Sequence, residues 1–348
     1  MSSFLTARNR AFLTGTALII GVGLLAGCTG TGADEENVVD QGTNSEENAE
    51  SGDTVVIGFS GPAADHGWLG AINSGATAAA ESFDDVDLRV AEGTNDPVAQ
   101  IAAVETFIND GVDAIVLLPT DGAALTEVAI EAMEAGIPVI NVDREFSSPF
   151  AARATVLGDN YGMGVSAGTY ICEQLGDTPD AVVAEIAGID SLPLTQDRSA
   201  GFADALEDCG LEVSARVAAD FTVAGGEAAA SQLLSANPKI DALWNHDDDQ
   251  GIGVLAAITA ANRDEFFMMG GAGSRAAMEA IEADDSVLKA TVIYPSTQAA
   301  DGVALARLIA QGKTMSDLIT PGVPNRVVLD APVVTKDNVA DFIDLSFE

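Results

Sequence analysis

Val139, Ile140 and Val142 form an apolar run that ends in Asp143 and Arg144, within the stretch PVINVDRE (residues 138–145). A carboxylate accepts hydrogen bonds from hydroxyls, and a guanidinium donates through a rigid planar fork. Adjacent residues on an extended strand end point to opposite sides, so Asp143 and Arg144 are expected to stay unpaired with each other and available to another partner. A second concentration of reactive groups is His246, Asp247, Asp248 and Asp249. Imidazole and carboxylate are metal ligands, but consecutive residues at a strand-to-helix turn rarely converge on one ion. Asp248 and Asp249 suit a helix N-terminus through its dipole instead, and no metal site is expected. His66 and His246 are the only imidazoles in the chain. No G-x-S-x-G nucleophile elbow is expected, and no G-x-G-x-x-G turn follows the first strand. Neither a cofactor nor an enzymatic activity is expected.

Such groups need a scaffold. From Thr54 the chain alternates short β-rich runs with helical patterns. Strands are predicted at 54–59, 86–91, 113–118 and 137–142, then at 181–187, 211–218, 240–245, 265–270 and 288–294. Between 91 and 113, Asp96 suits an N-cap and Pro97 the first helical position, followed by Ile101, Val104, Phe107 and Ile108 on one face. Repeated βαβ units predict an α/β chain of two doubly wound parallel-sheet lobes. Ligands of such sheets bind beyond the carboxyl ends of strands. Those ends include Ser60, Asp143–Arg144, Asp220–Phe221, Asn245–Asp248, Gly271–Gly273 and Tyr294.

Composition narrows the function classes. The 348 residues carry 54 acidic against 15 basic side chains, a formal net charge of −39. Such a surface repels nucleic acid phosphates and anionic headgroups. It suits either a saline medium, which screens the self-repulsion, or an ordinary acidic exoprotein. At the N-terminus, Arg8 and Arg10 precede an apolar stretch from Ala11 to Ala26 that closes on LLAGC. A basic start, a short apolar segment and small residues make a secretory signal. Residues 29–53 are small, polar and acidic, and read as a flexible tether. Cys172 and Cys209 are expected to pair in an exported chain, buried free thiols being the other reading.

The order of VVIGFSGPAADHGW, AIVLLPTDGAAL, GIPVINVDRE, LGDNYGMG, DRSAGFADAL and WNHDDDQGIG resembles the ribose/galactose-type periplasmic binding proteins of bacterial ABC importers, over about residues 54–335. LLAGC resembles a lipobox, which makes 1–28 a lipoprotein signal ending at a lipid-bearing Cys28 on the outer face of the cytoplasmic membrane (or a periplasmic location). The resemblance implies a three-segment hinge near Thr155–Gly158, Tyr294–Ser296 and Asn325–Leu329. It divides the chain into one lobe of 54–156 plus 296–324 and another of 158–293 plus 325–348. It implies a monomer that binds a sugar, polyol or similar small hydroxylated ligand and hands it to an ABC permease; a chemoreceptor or quorum-signal receptor would use the same cleft. The implied ligand contacts are Ser60, Asp65, His66, Trp68, Asp143, Arg144, Arg198, Phe221, Asp247, Tyr294 and Gln298. Leu118 and Ala272 stand where the family carries polar groups, and Tyr294 where a Gln is common. An ordinary pyranose held in the family's usual way is therefore not expected; a polyol, a furanose, a deoxy sugar or an unrelated small polar molecule fits equally well.

Overall fold

The computed structural model describes residue 48 and residues 50–176, 178–315 and 322–348, all within a unit spanning Asn44–Glu348. The signal, Cys28 and most of the tether lie outside the described residues. Sheet one takes β1 (Val55–Ser60), β2 (Val86–Val90), β3 (Ala114–Leu117), β4 (Val139–Val142) and β5 (Ala154–Gly158), with α1 (Gly67–Glu81), α2 (Pro97–Asp110) and α3 (Gly122–Glu134) between them. Sheet two takes β6 (Val183–Ala187), β7 (Val213–Ala218), β8 (Ala242–Asn245), β9 (Phe267–Ala272) and β10 (Leu288–Ile293). Its helices are α4 (Asn160–Leu175), α5 (Pro193–Asp208), α6 (Val223–Ala236), α7 (Asp248–Ala261) and α8 (Arg275–Ala283). After β10 the chain returns to the first lobe as α9 (Gln298–Ala310) and β11 (Arg326–Leu329), and β12 (Val333–Thr335) goes back to the second. The orders are β11-β5-β4-β3-β1-β2 and β12-β10-β9-β8-β6-β7. Every pairing is parallel except β10 with β12. The two lobes thus share one strand order, with a parallel edge strand in the first and an antiparallel one in the second, and each reverses that order beside its first strand, where a crevice opens.

Apolar periodicity explains these elements. β3 and β4 are buried along their whole length, as strands covered by helices on both faces must be. Asp96 caps α2 by accepting from Val98 N, with Pro97 in the first turn, and Gly111 ends the helix at φ 65°. Leu118 lies in the core rather than at a binding surface.

Three expectations need adjustment. Residues 325–348 do not all belong to the second lobe: β11 pairs in parallel with β5 and closes that edge of sheet one, so the third crossing falls between Leu329 and Val333. The end of the tether is not free. Arg307 donates to the carbonyls of Asn48 (2.7 Å) and Glu50 (2.9 Å), while Gly52 N donates to Asp85 Oδ2 (2.6 Å). Arg307 and Asp85 form a buried two-pronged pair at 2.6 and 2.7 Å, with the guanidinium 4.6 Å above the Phe83 ring. The string G-x-S-x-G does occur, at Gly164–Gly168, but it sits inside α4, and Ser166 Oγ donates to Ala331 O. Cys172 and Cys209 are joined in a disulfide that ties α4 to the end of α5.

Candidate binding site

Strand ends of both lobes converge on a small cavity lined by His66, Trp68, Asp143, Arg144, Leu194, Arg198, Phe221, Asp247, Ala272 and Tyr294. A wider cleft of about 280 Å³ adjoins it and shares Asp143, Arg144 and Leu194. Each lobe contributes an acid and an arginine: Asp143 and Arg144 follow β4, Arg198 lies on α5, and Asp247 follows β8.

The backbone at the cavity is unusual. Asp143 (φ 62°), Phe221 (φ 67°) and Ala272 (φ 90°) all occupy left-handed conformations without being glycine. The other non-glycine residues of that kind among those described, Asn262 and Asp284, simply end helices. Such conformations cost on the order of 1–3 kcal/mol each and persist where the surroundings impose them, here at three strand ends that aim side chains into one space.

A chain of hydrogen bonds runs along the cavity. Tyr294 Oη donates to Asp143 Oδ1 (2.5 Å) and accepts from Asn160 Nδ2 (3.0 Å). Asn160 Oδ1 accepts from Arg198 Nε (2.9 Å), and Arg198 Nη1 donates to His246 O (3.2 Å). Burial drives the Tyr294 phenol well above its ordinary pKa, with Asp143 adding to the effect, so it acts as a neutral donor. The Arg198 guanidinium stands 4.4 Å from the Tyr294 ring centre and 5.9 Å from that of Phe221. Trp68 Nε1 donates to Tyr294 O, which fixes the indole as a wall. Gly158 and Gly188 lie so close to the Tyr294 and Phe221 rings that a Cβ at either would overlap the aromatic.

Asp143 and Arg144 are closer than their strand positions suggest. Arg144 Nε lies 3.7 Å from Asp143 Oδ2, an ionic contact too long for a hydrogen bond. The left-handed turn at Asp143 swings the two side chains toward one side. Arg144 Nη1 is held by Thr120 O (2.9 Å), and its buried Nε has no hydrogen-bond partner. Asp143 therefore already has a protein hydroxyl on one oxygen.

Asp247 caps α7 through Gln250 N, and burial pushes its carboxyl up to about 6. Asp248 is not merely a dipole partner: it accepts from Gly271, Gly273 and Ser274 N and from Thr291, and burial pushes it up to about 8. Asp249 reaches across to the first lobe, where it accepts from Trp68 N (3.1 Å).

Of the residues singled out in the sequence, Ser60, Asp65 and Gln298 stay out of the cavity. Ser60 faces Gln100 in the core, Asp65 accepts from Asn95 near the surface, and Gln298 turns back to Pro295 O. Asn160 and Leu194 went unrecognised. Asn160 stood in the LGDN stretch, which was a usable signal; Leu194 had none.

A periplasmic binding protein domain matches residues 57–314. The chain belongs to this family. Periplasmic binding proteins work outside the cytoplasm, and no helix among the described residues is long and apolar enough to cross a membrane. The chain is 31% identical to the ribose import binding protein of Bacillus subtilis, over 62% of this chain and 70% of that one. It is 30% identical to the D-ribose/D-allose-binding protein of Pseudomonas aeruginosa, over 68% and 74% respectively. Among solved structures, a Mycobacterium smegmatis protein in complex with β-D-fucofuranose superposes with a TM-score of 0.75 at 26% identity, covering 84% of this chain and 94% of that one. A Bacillus halodurans ABC transporter solute-binding protein with bound myo-inositol gives 0.75 at 25% identity, covering 85% and 99%. The periplasmic binding protein fold accounts for the paired lobes and the triple crossing described above.

Proposed function

We propose that the chain is the solute-binding protein of an ABC importer, taking a sugar or polyol of furanose or cyclitol size into the cavity between its lobes. One observation carries this reading: an acid and an arginine from each lobe, with Trp68, Phe221 and Tyr294 between them, surround a single space. Acids accept from hydroxyls, guanidinium groups donate to hydroxyl and ring oxygens, and aromatic faces cover C–H surfaces. The relatives named for ribose and allose, and the structures holding fucofuranose and inositol, support that ligand class. Ala272 adds no polar group to the cavity wall, which favours a ligand with an apolar edge there.

Binding groups on both lobes make the closed form the one the ligand selects, and a permease reads that form. No covalent step is involved. In this reading Cys28 carries the lipid, and Arg307 grips the chain at Asn48 and Glu50, where it enters the first lobe. Calorimetry of the chain against pentoses, hexofuranosides and inositols should give one-site binding, with the ligand recovered chemically intact. Absence of heat with every member, together with no small molecule retained in native mass spectra, would refute the reading.

A further inference from the structure

His66, Asp247 and Asp249 meet at the edge of the cavity with one ligand-type atom each, all within 4.8 Å of one another. They come from different lobes. His66 precedes α1 in the first lobe, and the two acids stand at the start of α7 in the second. We propose that these three side chains form a site for a divalent ion of the zinc class, which ties the closed lobes together.

The imidazole is the decisive member. Its side chain retains only 9% of its surface exposed, and its Nδ1 is buried without a hydrogen-bond partner. A buried polar nitrogen left unpaired is costly, so something outside the protein's own hydrogen bonds is called for. Nδ1 lies 3.6 Å from Asp249 Oδ2. That separation is too long for a hydrogen bond. It is close to the edge of a tetrahedral site, because bonds of about 2.1 Å to a shared ion place two ligand atoms about 3.4 Å apart. Asp247 offers the third ligand atom, within 4.8 Å of the other two, while its Oδ1 caps α7.

Charge and chemistry agree. Two carboxylates neutralise a divalent ion, a neutral imidazole completes three protein ligands, and mixed nitrogen and oxygen donors suit zinc-class ions over calcium or magnesium. Gly67 lets the acid approach: a Cβ there would crowd the Asp249 carboxylate, which also accepts from Trp68 N. Because His66 and Asp247 line the cavity, the remaining coordination position faces the solute. His66 stands 181 residues before Asp247, so no local spacing links the two in the sequence.

The test is a titration of the untagged full chain, in detergent and without sugar, with Co2+ and then Zn2+. Wild type should take up one Co2+ per chain with a visible absorption band of low-symmetry coordination, and Zn2+ should abolish the band. His66→Gln and Asp249→Asn should each weaken Zn2+ binding at least ten-fold while keeping the wild-type circular dichroism. A titration with no band, or a band that survives His66→Gln unchanged, overturns the proposal. Since no sugar is present, this result stands apart from the solute assay.

Discussion

Tyr294 Oη donates to Asp143 Oδ1 at 2.5 Å, tying the second interlobe crossing to the strand end of the first lobe. The same oxygen accepts from Asn160 of the second lobe, so one phenol satisfies groups from both. Tyr294→Phe removes the oxygen and keeps the ring. It leaves a buried carboxylate oxygen without its donor and takes one of the two acceptors of Asn160 Nδ2, which keeps Gly158 O (3.4 Å), and the loss costs about 1–3 kcal/mol. Urea unfolding should show that loss, and an unchanged midpoint would refute the bridging role.

Asp247→Asn separates charge from shape. Asparagine caps a helix as well as aspartate does, so the bond from Gln250 N survives. The cavity loses a charged acceptor and keeps a neutral one, a difference of about 1 kcal/mol or more per solute hydroxyl. Affinity for the solute should fall about five- to ten-fold in calorimetry run with a chelator, and equal affinity would remove Asp247 from the contacts.

The Arg307–Asp85 pair gives a pH dependence of known sign. The hydrogen bond from Arg307 holds the Asp85 carboxyl well below the usual carboxylate range, despite its burial. A depressed folded-state pKa stabilises the fold fully above the unfolded value of about 3.9, and that stabilisation is lost as pH falls through the lower folded value. Asp85→Asn strands a buried guanidinium and should cost about 3–5 kcal/mol at neutral pH. The gap between wild type and variant should begin to shrink as pH falls below about 3.9, where the unfolded chain takes up a proton at Asp85 and the folded one does not, and should go on shrinking toward the lower folded value. Urea midpoints measured across that range check it; a constant gap contradicts the assignment.

The Cys172–Cys209 disulfide closes a loop with a sequence separation of 37. Loop-closure entropy gives a cross-link of that span about 3–4 kcal/mol. Replacing both cysteines with serine should lower the melting temperature by several degrees, and added reductant should then leave the variant's melting temperature unchanged.

Most of the fold was legible because each strand and helix is defined locally. The all-apolar strands AIVL and VINV, the Asp96–Pro97 start and the Gly111 stop all act within a few residues. The third crossing was misplaced because β11, RVVL, is a short edge strand whose sequence suits either sheet; only the open edge of β5 decides. At the site, residues on strand ends were legible as types, since a charged group after an apolar strand has few structural uses. Their partners were not. Nothing local links Tyr294 to Asp143, 151 positions away, or Arg307 to Asp85, 222 away. Likewise Ser60 reads as a strand-end hydroxyl, but Gln100, buried beside it, turns it inward.

Gly188 tests whether the aromatic wall sets affinity. It follows β6 directly, and a Cβ there would overlap the Phe221 ring. Phe221 is already held at φ 67°, so its backbone has little freedom to yield, and the ring itself must move. In Gly188→Ala the ring therefore leaves its place beside Arg198 and the cavity changes shape. Solute affinity should fall more than ten-fold, with an altered near-ultraviolet dichroism from the displaced aromatic. Gly70→Ala is the matched control: it lies within α1 with open space around its Cβ position, and should keep affinity while gaining up to about 1 kcal/mol of helix stability. If Gly188→Ala binds the solute as wild type does, Phe221 is not a wall of the site.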